Sequence, residues 1–340
     1  MPGSPHISLQ RNSVRAVMLK VLAALVPGVI VHAWVFGPGI WVSLLVCTAF
    51  AYLFEALALA MRNLPLKPFL TDGSVLVTAW LLALSMPTLL PWWIYAVGML
   101  IAVLVAKHLY GGLGQNLFNP AMVGYAALIV SFPMYMNLWP APVSVASHTP
   151  NLMEAFDLVF AGQGAVSPDA YTAATPMDAV RAHVRAGGRA EEIARESFKL
   201  IGKETLVLTY LLGGVLLLAT RVITWHIPVA FLAGVTVTAG VLYGLDPARY
   251  ADPLFHLVTG STMLGAFFIL TDPVSASGTP RGKLIYAGLA GFITVLIRTY
   301  GNYPDGVAFS VLLMNMAVPF IDAHTQPRVF GEARGRRGGS

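Results

Sequence analysis

The sequence is poor in charge. Only 11% of its 340 residues are Asp, Glu, Lys or Arg, against about 25% in an ordinary soluble domain. A soluble chain of this length needs a charged surface, and 21 basic and 16 acidic residues do not supply one. The solitary cysteine, Cys47, excludes an internal disulfide, a CxxC zinc site and a self-ligated iron–sulfur cluster. The eight histidines form no HxxxH or HExxH pair, so no metal centre is expected. The basic residues are dispersed rather than gathered in a stripe, which excludes nucleic acid as a partner. No Ser-His-Asp arrangement, Walker loop or dinucleotide fingerprint is present.

Apolar residues fill the space instead, at 56% of the chain with a mean hydropathy of +0.70. The fold class is an all-α polytopic membrane protein whose surface faces lipid. About 20 apolar residues are needed to cross a hydrocarbon core, and ten stretches qualify, near 16–36, 40–60, 73–89, 91–108, 117–133, 204–222, 225–243, 254–270, 283–300 and 304–321. Those at 73–89 and 254–270 are short and predict interrupted helices. The first follows Arg11 and Arg15 but lacks a cleavage site, so it is read as a retained helix. Most basic residues outside 134–203, among them Arg62, Lys67, Lys107, Arg281 and the tail arginines, fall on one side if both termini are cytoplasmic. On that topology Arg249 and Arg298 lie in short external loops.

The predicted organisation is a cytoplasmic N-terminus (1–15), a first five-helix repeat (16–133), an external loop (134–203), a second five-helix repeat (204–321) and a basic cytoplasmic tail (322–340). The loop concentrates charge, and a long wet segment in so apolar a chain points to function. The repeat rests on Leu70-Thr71-Asp72-Gly73-Ser74, which recurs as Leu270-Thr271-Asp272-Pro273-Val274-Ser275. Helix-opening turns follow each copy, at Tyr110–Asn116 and Tyr300–Gly306. Five spans on each side of an external loop give the halves opposite topology, a pattern of transporters with a site at the repeat interface.

Several residues could carry chemistry. Thr175 reads as a helix N-cap with Pro176 at N1 and Asp178 at N3. The same N-terminus favours a phosphate, which Asp178 would oppose. Residues 177–203 look helical with a break at Gly187-Gly188, and Met177, Val180 and Val184 share one face. Asp72, Asp272 and Asp305 sit at the ends of apolar spans, as caps or as parts of an ion path. Glu55 lies inside the second span with no local partner except Arg62, two turns on. Asn116 and Asn119 precede Pro120 and either cap a helix or hydrogen-bond a flavin edge or a cation. His32, His226 and His256, and the aromatic group Trp92, Trp93 and Tyr95, read as interfacial.

The stretch Asp169, Thr172, Ala173, Ala174, Thr175 resembles the flavinylation motif D-x-x-[ST]-G-A-[ST], with Ala173 in place of glycine. Taken with Thr71–Ser74, Gly111–Ala121, Leu270–Ser275 and Tyr300–Phe309, in matching order from about residue 15 to 325, the chain resembles the NqrB/RnfD family of ion-translocating electron-transport complexes. The resemblance implies FMN joined through a phosphoester to Thr175, with Thr172 and Asp169 part of the motif, and a riboflavin in the membrane part. It implies electron transfer between ferredoxin and NAD coupled to sodium or proton movement, by a subunit that is not catalytic alone. It further implies an inner-membrane complex with a second covalent flavoprotein subunit and iron–sulfur subunits, and a periplasmic loop. Tyr171, Phe156 and Phe160 are the nearest aromatic candidates for a flavin environment. The residues alone leave a second reading open, an inverted-repeat channel or solute transporter without a redox cofactor.

Overall fold

The computed structural model describes residues 14–162, 168–198 and 203–326. Most of both predicted termini and residues 199–202 of the predicted loop helix lie outside this range. Helices α1 (Val14–Phe36) and α2 (Gly39–Met61) form a hairpin that turns at Gly37, whose φ of +89° suits glycine. The short α3 (Leu66–Leu70) leads to α4 (Ser74–Ser85). α5 (Trp92–Leu100) runs on as a π-helical segment, Ile101–His108. Asn119 caps α6 (Pro120–Ser131), its side chain accepting from the Met122 N–H.

The loop that follows contains α7 (Pro133–Met136), α8 (Leu152–Phe160), a 3₁₀ turn at Pro168–Ala170, α9 (Pro176–Arg185) and α10 (Ala190–Phe198). The second half comprises α11 (Lys203–Ala219), α12 (His226–Leu245), α13 (Pro253–Val258), α14 (Thr262–Leu264) with a π-helical continuation Gly265–Ile269, α15 (Pro280–Tyr300) and α16 (Val307–Thr325). Among the described residues there is no β-strand, only an isolated bridge between Pro140 and Thr172.

Five helices, α1, α2, α12, α15 and α16, are long and apolar enough to cross a membrane, and four shorter apolar helices accompany them. The chain is an all-α polytopic membrane protein. The sequence pattern expects ten stretches, with those at 73–89 and 254–270 short and interrupted, and local chemistry also shortens three of the others. α4 stops at Ser85 because Met86 is extended ahead of Pro87, and α6 is confined between Pro120 and Pro133. The stretch 254–270 breaks at Thr259-Gly260, where Gly260 has a φ of +63°.

Small residues set the packing, as expected where lipid removes the hydrophobic drive between helices. α12 lies against α15 so closely that a Cβ on Gly234 would sit 2.3 Å from the Gly288 carbonyl oxygen. α1 meets α11 in the same way, with Gly213 against the Ala24 carbonyl and Gly28 under the Tyr210 ring. The loop is fastened to the α1–α2 turn: the Val143 N–H donates to the Val35 carbonyl at 2.8 Å, and Thr149 packs on Gly37.

Candidate functional site

Thr175 occupies the N-cap of α9, with Pro176 at the first helical position, as its sequence predicts. The Asp178 N–H donates to Thr175 Oγ1 at 3.2 Å, and the same Oγ1 donates its proton to Asp178 Oδ2 at 2.6 Å. Arg181 pairs with the other Asp178 oxygen. Its guanidinium also donates to the carbonyls of Gly301 and Tyr303, the latter at 2.6 Å, and Arg185 donates to Asn302 Oδ1 at 2.8 Å. Two arginines thus dock the Thr175 helix on the α15–α16 loop. Behind it, Met177, Val180 and Val184 do share a face, packed with Ala190, Ile193 and Ala194 on Ala251 and Phe255.

The strand-like approach to Thr175 is held from Trp139 to His148. The Ala141 N–H donates to the Tyr171 carbonyl, Ala173 N–H to Trp139 and His148 N–H to Ala170. Burial raises the Tyr171 phenol above its ordinary range. Thr172 Oγ1 donates to the Pro168 carbonyl at 2.8 Å, and Asp169 is exposed. Neither faces the space next to Thr175.

That space is a cavity of about 190 Å³ where both halves and the loop meet. Thr175, Trp139, His32, Tyr125, Met263 and Asp305 are among its lining residues. Trp139 Nε1 and His32 Nδ1 are buried there without a hydrogen-bond partner, although buried polar groups are almost always satisfied. Phe156 and Phe160 meet with ring centroids 4.4 Å apart and planes tilted by 33° on the exposed face of α8 and do not line the cavity, and neither does Tyr171.

Asp305 is a cap and an ion-pair partner at once. Its Oδ1 accepts from the N–H groups of Gly306 and Val307 and from Arg298 Nε at 2.8 Å; its Oδ2 accepts from the Ser261 N–H at 2.6 Å and from its hydroxyl. Arg298 corrects the expectation of an external-loop charge. It is 1% exposed inside α15, also donating to the His256 carbonyl. His256 and His32 are buried rather than interfacial, and Tyr95 is a core residue bonded to Ser43 and the Pro87 carbonyl.

A second cavity, of about 110 Å³, opens at the other end of α1, α4 and α11. Asn116, Asn119, Asp272, Ser74 and Lys107 line it. Asp72 and Asp272 each bond within their own turn: Asp72 Oδ1 accepts from the Ser74 N–H at 2.7 Å, and Asp272 takes the Val274 N–H and, at 2.7 Å, the Ser275 hydroxyl, where no helix follows. Asn116 donates to the Phe118 carbonyl. Asn119 joins the two halves, donating through Nδ2 to the Ile269 carbonyl and through its N–H to Asn315 Oδ1, while Asn315 reaches Ser275 and Tyr286.

Glu55 departs from its expectation. It is 1% exposed and bound to Lys107 Nζ at 2.8 Å, with His108 Nε2 3.0 Å from its other oxygen. Lys107 also donates to Ser74 Oγ. Arg62, the partner expected from helix spacing, instead meets His108 Nδ1 and the Gly111 carbonyl. Sequence reasoning missed Lys107, His108, Arg298 and Arg181 as site residues. For Lys107, His108 and Arg298 the available signal was a basic residue inside or bordering an apolar span; for Arg181 it was only the i,i+3 spacing from Asp178 on one helix.

These features define a polytopic helical membrane protein with a folded loop docked over a cavity between two halves. The chain matches the NQR2, RnfD, RnfE family over residues 1–331. It is 45% identical to the D subunit of the ion-translocating oxidoreductase complex of Vibrio cholerae serotype O1 (strain O395) over 342 residues, covering 97% of this chain and 98% of that one. Proteins of the same name from Escherichia coli O139:H28 and Salmonella newport are 45% and 43% identical over 347 residues, covering 98% of this chain and of each relative. The chain belongs to the NQR2/RnfD/RnfE family.

Proposed function

We propose that the chain is the D subunit of an ion-translocating oxidoreductase complex and carries FMN through a phosphoester on Thr175. The observation that supports this best is the position of Thr175, at a helix N-terminus on the edge of a largely apolar cavity with two unpartnered polar atoms. The residues fit the group. The free N–H groups and positive dipole end of α9 suit a phosphate, and Arg181 offsets the Asp178 carboxylate beside it. Trp139 Nε1 and His32 Nδ1 offer hydrogen bonds to the edge of a planar heterocycle, and the apolar walls exclude water from it. FMN bound there supplies the redox chemistry, and the chain supplies position and electrostatics.

On this reading the loop faces the periplasm of an inner-membrane protein with both termini cytoplasmic, and electrons arrive from a second covalent flavoprotein subunit or from iron–sulfur subunits. The second cavity, at the opposite end, is where the riboflavin would be held. The complex couples ferredoxin and NAD redox chemistry to sodium or proton movement. Asp272, on the wall of the second cavity, and Asp305, on the wall of the first, are the lining candidates on the ion's route, with Glu55 and Asp72 holding the structure beside it.

The test is flavin fluorescence of the denatured band on a gel, for protein made in cells containing the flavin transferase. A fluorescent wild type and a dark Thr175→Ala support the reading. A dark wild type favours the cofactor-free channel or transporter instead.

A further inference from the structure

We propose that Asp178 takes the hydroxyl proton of Thr175 when the flavin phosphoester forms, and so makes Thr175 the modified hydroxyl. This inference rests on the reading of Thr175 as the attachment site. Two threonine hydroxyls lie three positions apart in the motif, and their hydrogen-bond acceptors differ in kind. Thr172 Oγ1 donates to the Pro168 carbonyl, an amide oxygen too weakly basic to accept a proton. Thr175 Oγ1 donates at 2.6 Å to the Asp178 carboxylate, a short, charge-assisted contact.

The carboxylate is also held in place. Arg181 binds its second oxygen and is itself anchored by the carbonyls of Gly301 and Tyr303. Arginine does not give up or take a proton at working pH, so it orients without competing. The Asp178 N–H meanwhile donates to Thr175 Oγ1 and fixes the hydroxyl from the other side. Nucleophile, base and orienting group thus follow the order found where a weak hydroxyl is activated. Asp178 is about one-third exposed, which gives the proton an exit to water.

The step balances without any redox change. The bond from Thr175 Oγ1 to the flavin-side phosphorus of a flavin dinucleotide forms, and the bond from that phosphorus to the bridging oxygen breaks. AMP leaves with that oxygen, and the hydroxyl proton passes to Asp178 Oδ2 and then to solvent. A dinucleotide is the required class of donor, because a phosphomonoester offers no comparable leaving group.

The experiment uses full-length chain made in cells without the flavin transferase, then mixed with purified transferase and flavin adenine dinucleotide. Labelling is followed by gel fluorescence over time. Asp178→Asn preserves the cap donor and the side-chain shape and is expected to slow labelling by about 10²-fold or more. Asp178→Glu is expected to recover most of that rate. Asp178→Ala is expected to speed up saturably with added formate but not with chloride, which a purely structural role would not produce. Asp178→Asn labelled at the wild-type rate, or Asp178→Ala unmoved by formate, overturns the role of Asp178 while leaving Thr175 as the site. A dark wild type, or a label mapped to Thr172, overturns the attachment reading itself.

Discussion

Glu55 and Lys107 stand 52 positions apart and meet at 2.8 Å between helices, the carboxylate 1% and the ammonium 3% exposed. The pair is the main charged contact linking α2 to the π-helical end of α5. Removing one partner from a buried pair costs about 3–5 kcal/mol, because the other charge is left unpaired. Glu55→Gln and Lys107→Met are each expected to lower the unfolding midpoint in detergent. The double variant is expected to recover much of that loss, and strict additivity would show the two groups to be energetically independent.

Asp305 is expected to be the costliest single carboxylate in the second half. Asp305→Ala strips the cap of α16, frees Ser261 and leaves Arg298 buried with only carbonyl partners. A loss of about 3–5 kcal/mol follows from the unpaired charge. Asp305→Asn keeps one acceptor oxygen, enough for Arg298 Nε and the α16 N–H groups, but loses the charge and the oxygen that Ser261 uses, and is expected to lose less than Asp305→Ala. Unfolding in detergent, compared across the two variants, checks the order.

The α12–α15 contact predicts opposite signs for two glycine substitutions. A Cβ on Gly291 would lie 2.4 Å from the Phe231 carbonyl oxygen and 2.8 Å from the Val235 nitrogen, so Gly291→Ala must push backbone apart. The expected cost is about 1–3 kcal/mol. Gly244, in the last turn of α12, has nothing within 4 Å of the same position. Gly244→Ala is therefore expected to stabilise by about 0.5–1 kcal/mol, read by the same unfolding assay.

The contact between α9 and α10 predicts a pH dependence. His183 Nε2 lies 2.7 Å from Glu192 Oε2, and this bond holds the Glu192 carboxyl below its ordinary value near 4.5. A depressed carboxylate adds stability above its unfolded value and loses it as pH falls through the folded one. Protection of the α9 and α10 amides, their exchange measured against the intrinsic rate at each pH, is thus expected to fall below about pH 4.5 in the wild type. Glu192→Gln is expected to remove that step, and an unchanged profile in the variant would assign it elsewhere.

Local chemistry was legible in the sequence and long-range pairing was not. Thr175, Pro176 and Asp178 announce a helix start within four residues, and the structure puts the N-cap there. Asp72 and Asp272 likewise bond two or three residues ahead. Glu55 has its partner on a helix 52 positions away, so spacing on its own helix pointed to Arg62 instead. Arg298 was legible only as a charge near a span end, because nothing local says that Asp305 turns back to meet it. Hydropathy located nine stretches that are apolar helices among the described residues, five long and four shorter, and a tenth, 254–270, that is broken. It could not measure them, since Pro87, Pro133 and Gly260 decide where helices stop.

The central claim, that Thr175 carries the flavin, is tested most directly by peptide mass spectrometry of chain purified from cells containing the flavin transferase. The account predicts that the peptide spanning Thr172 and Thr175 gains the mass of FMN less one water, with fragment ions placing it on Thr175. An unmodified peptide, or fragments placing the added mass on Thr172, would contradict it.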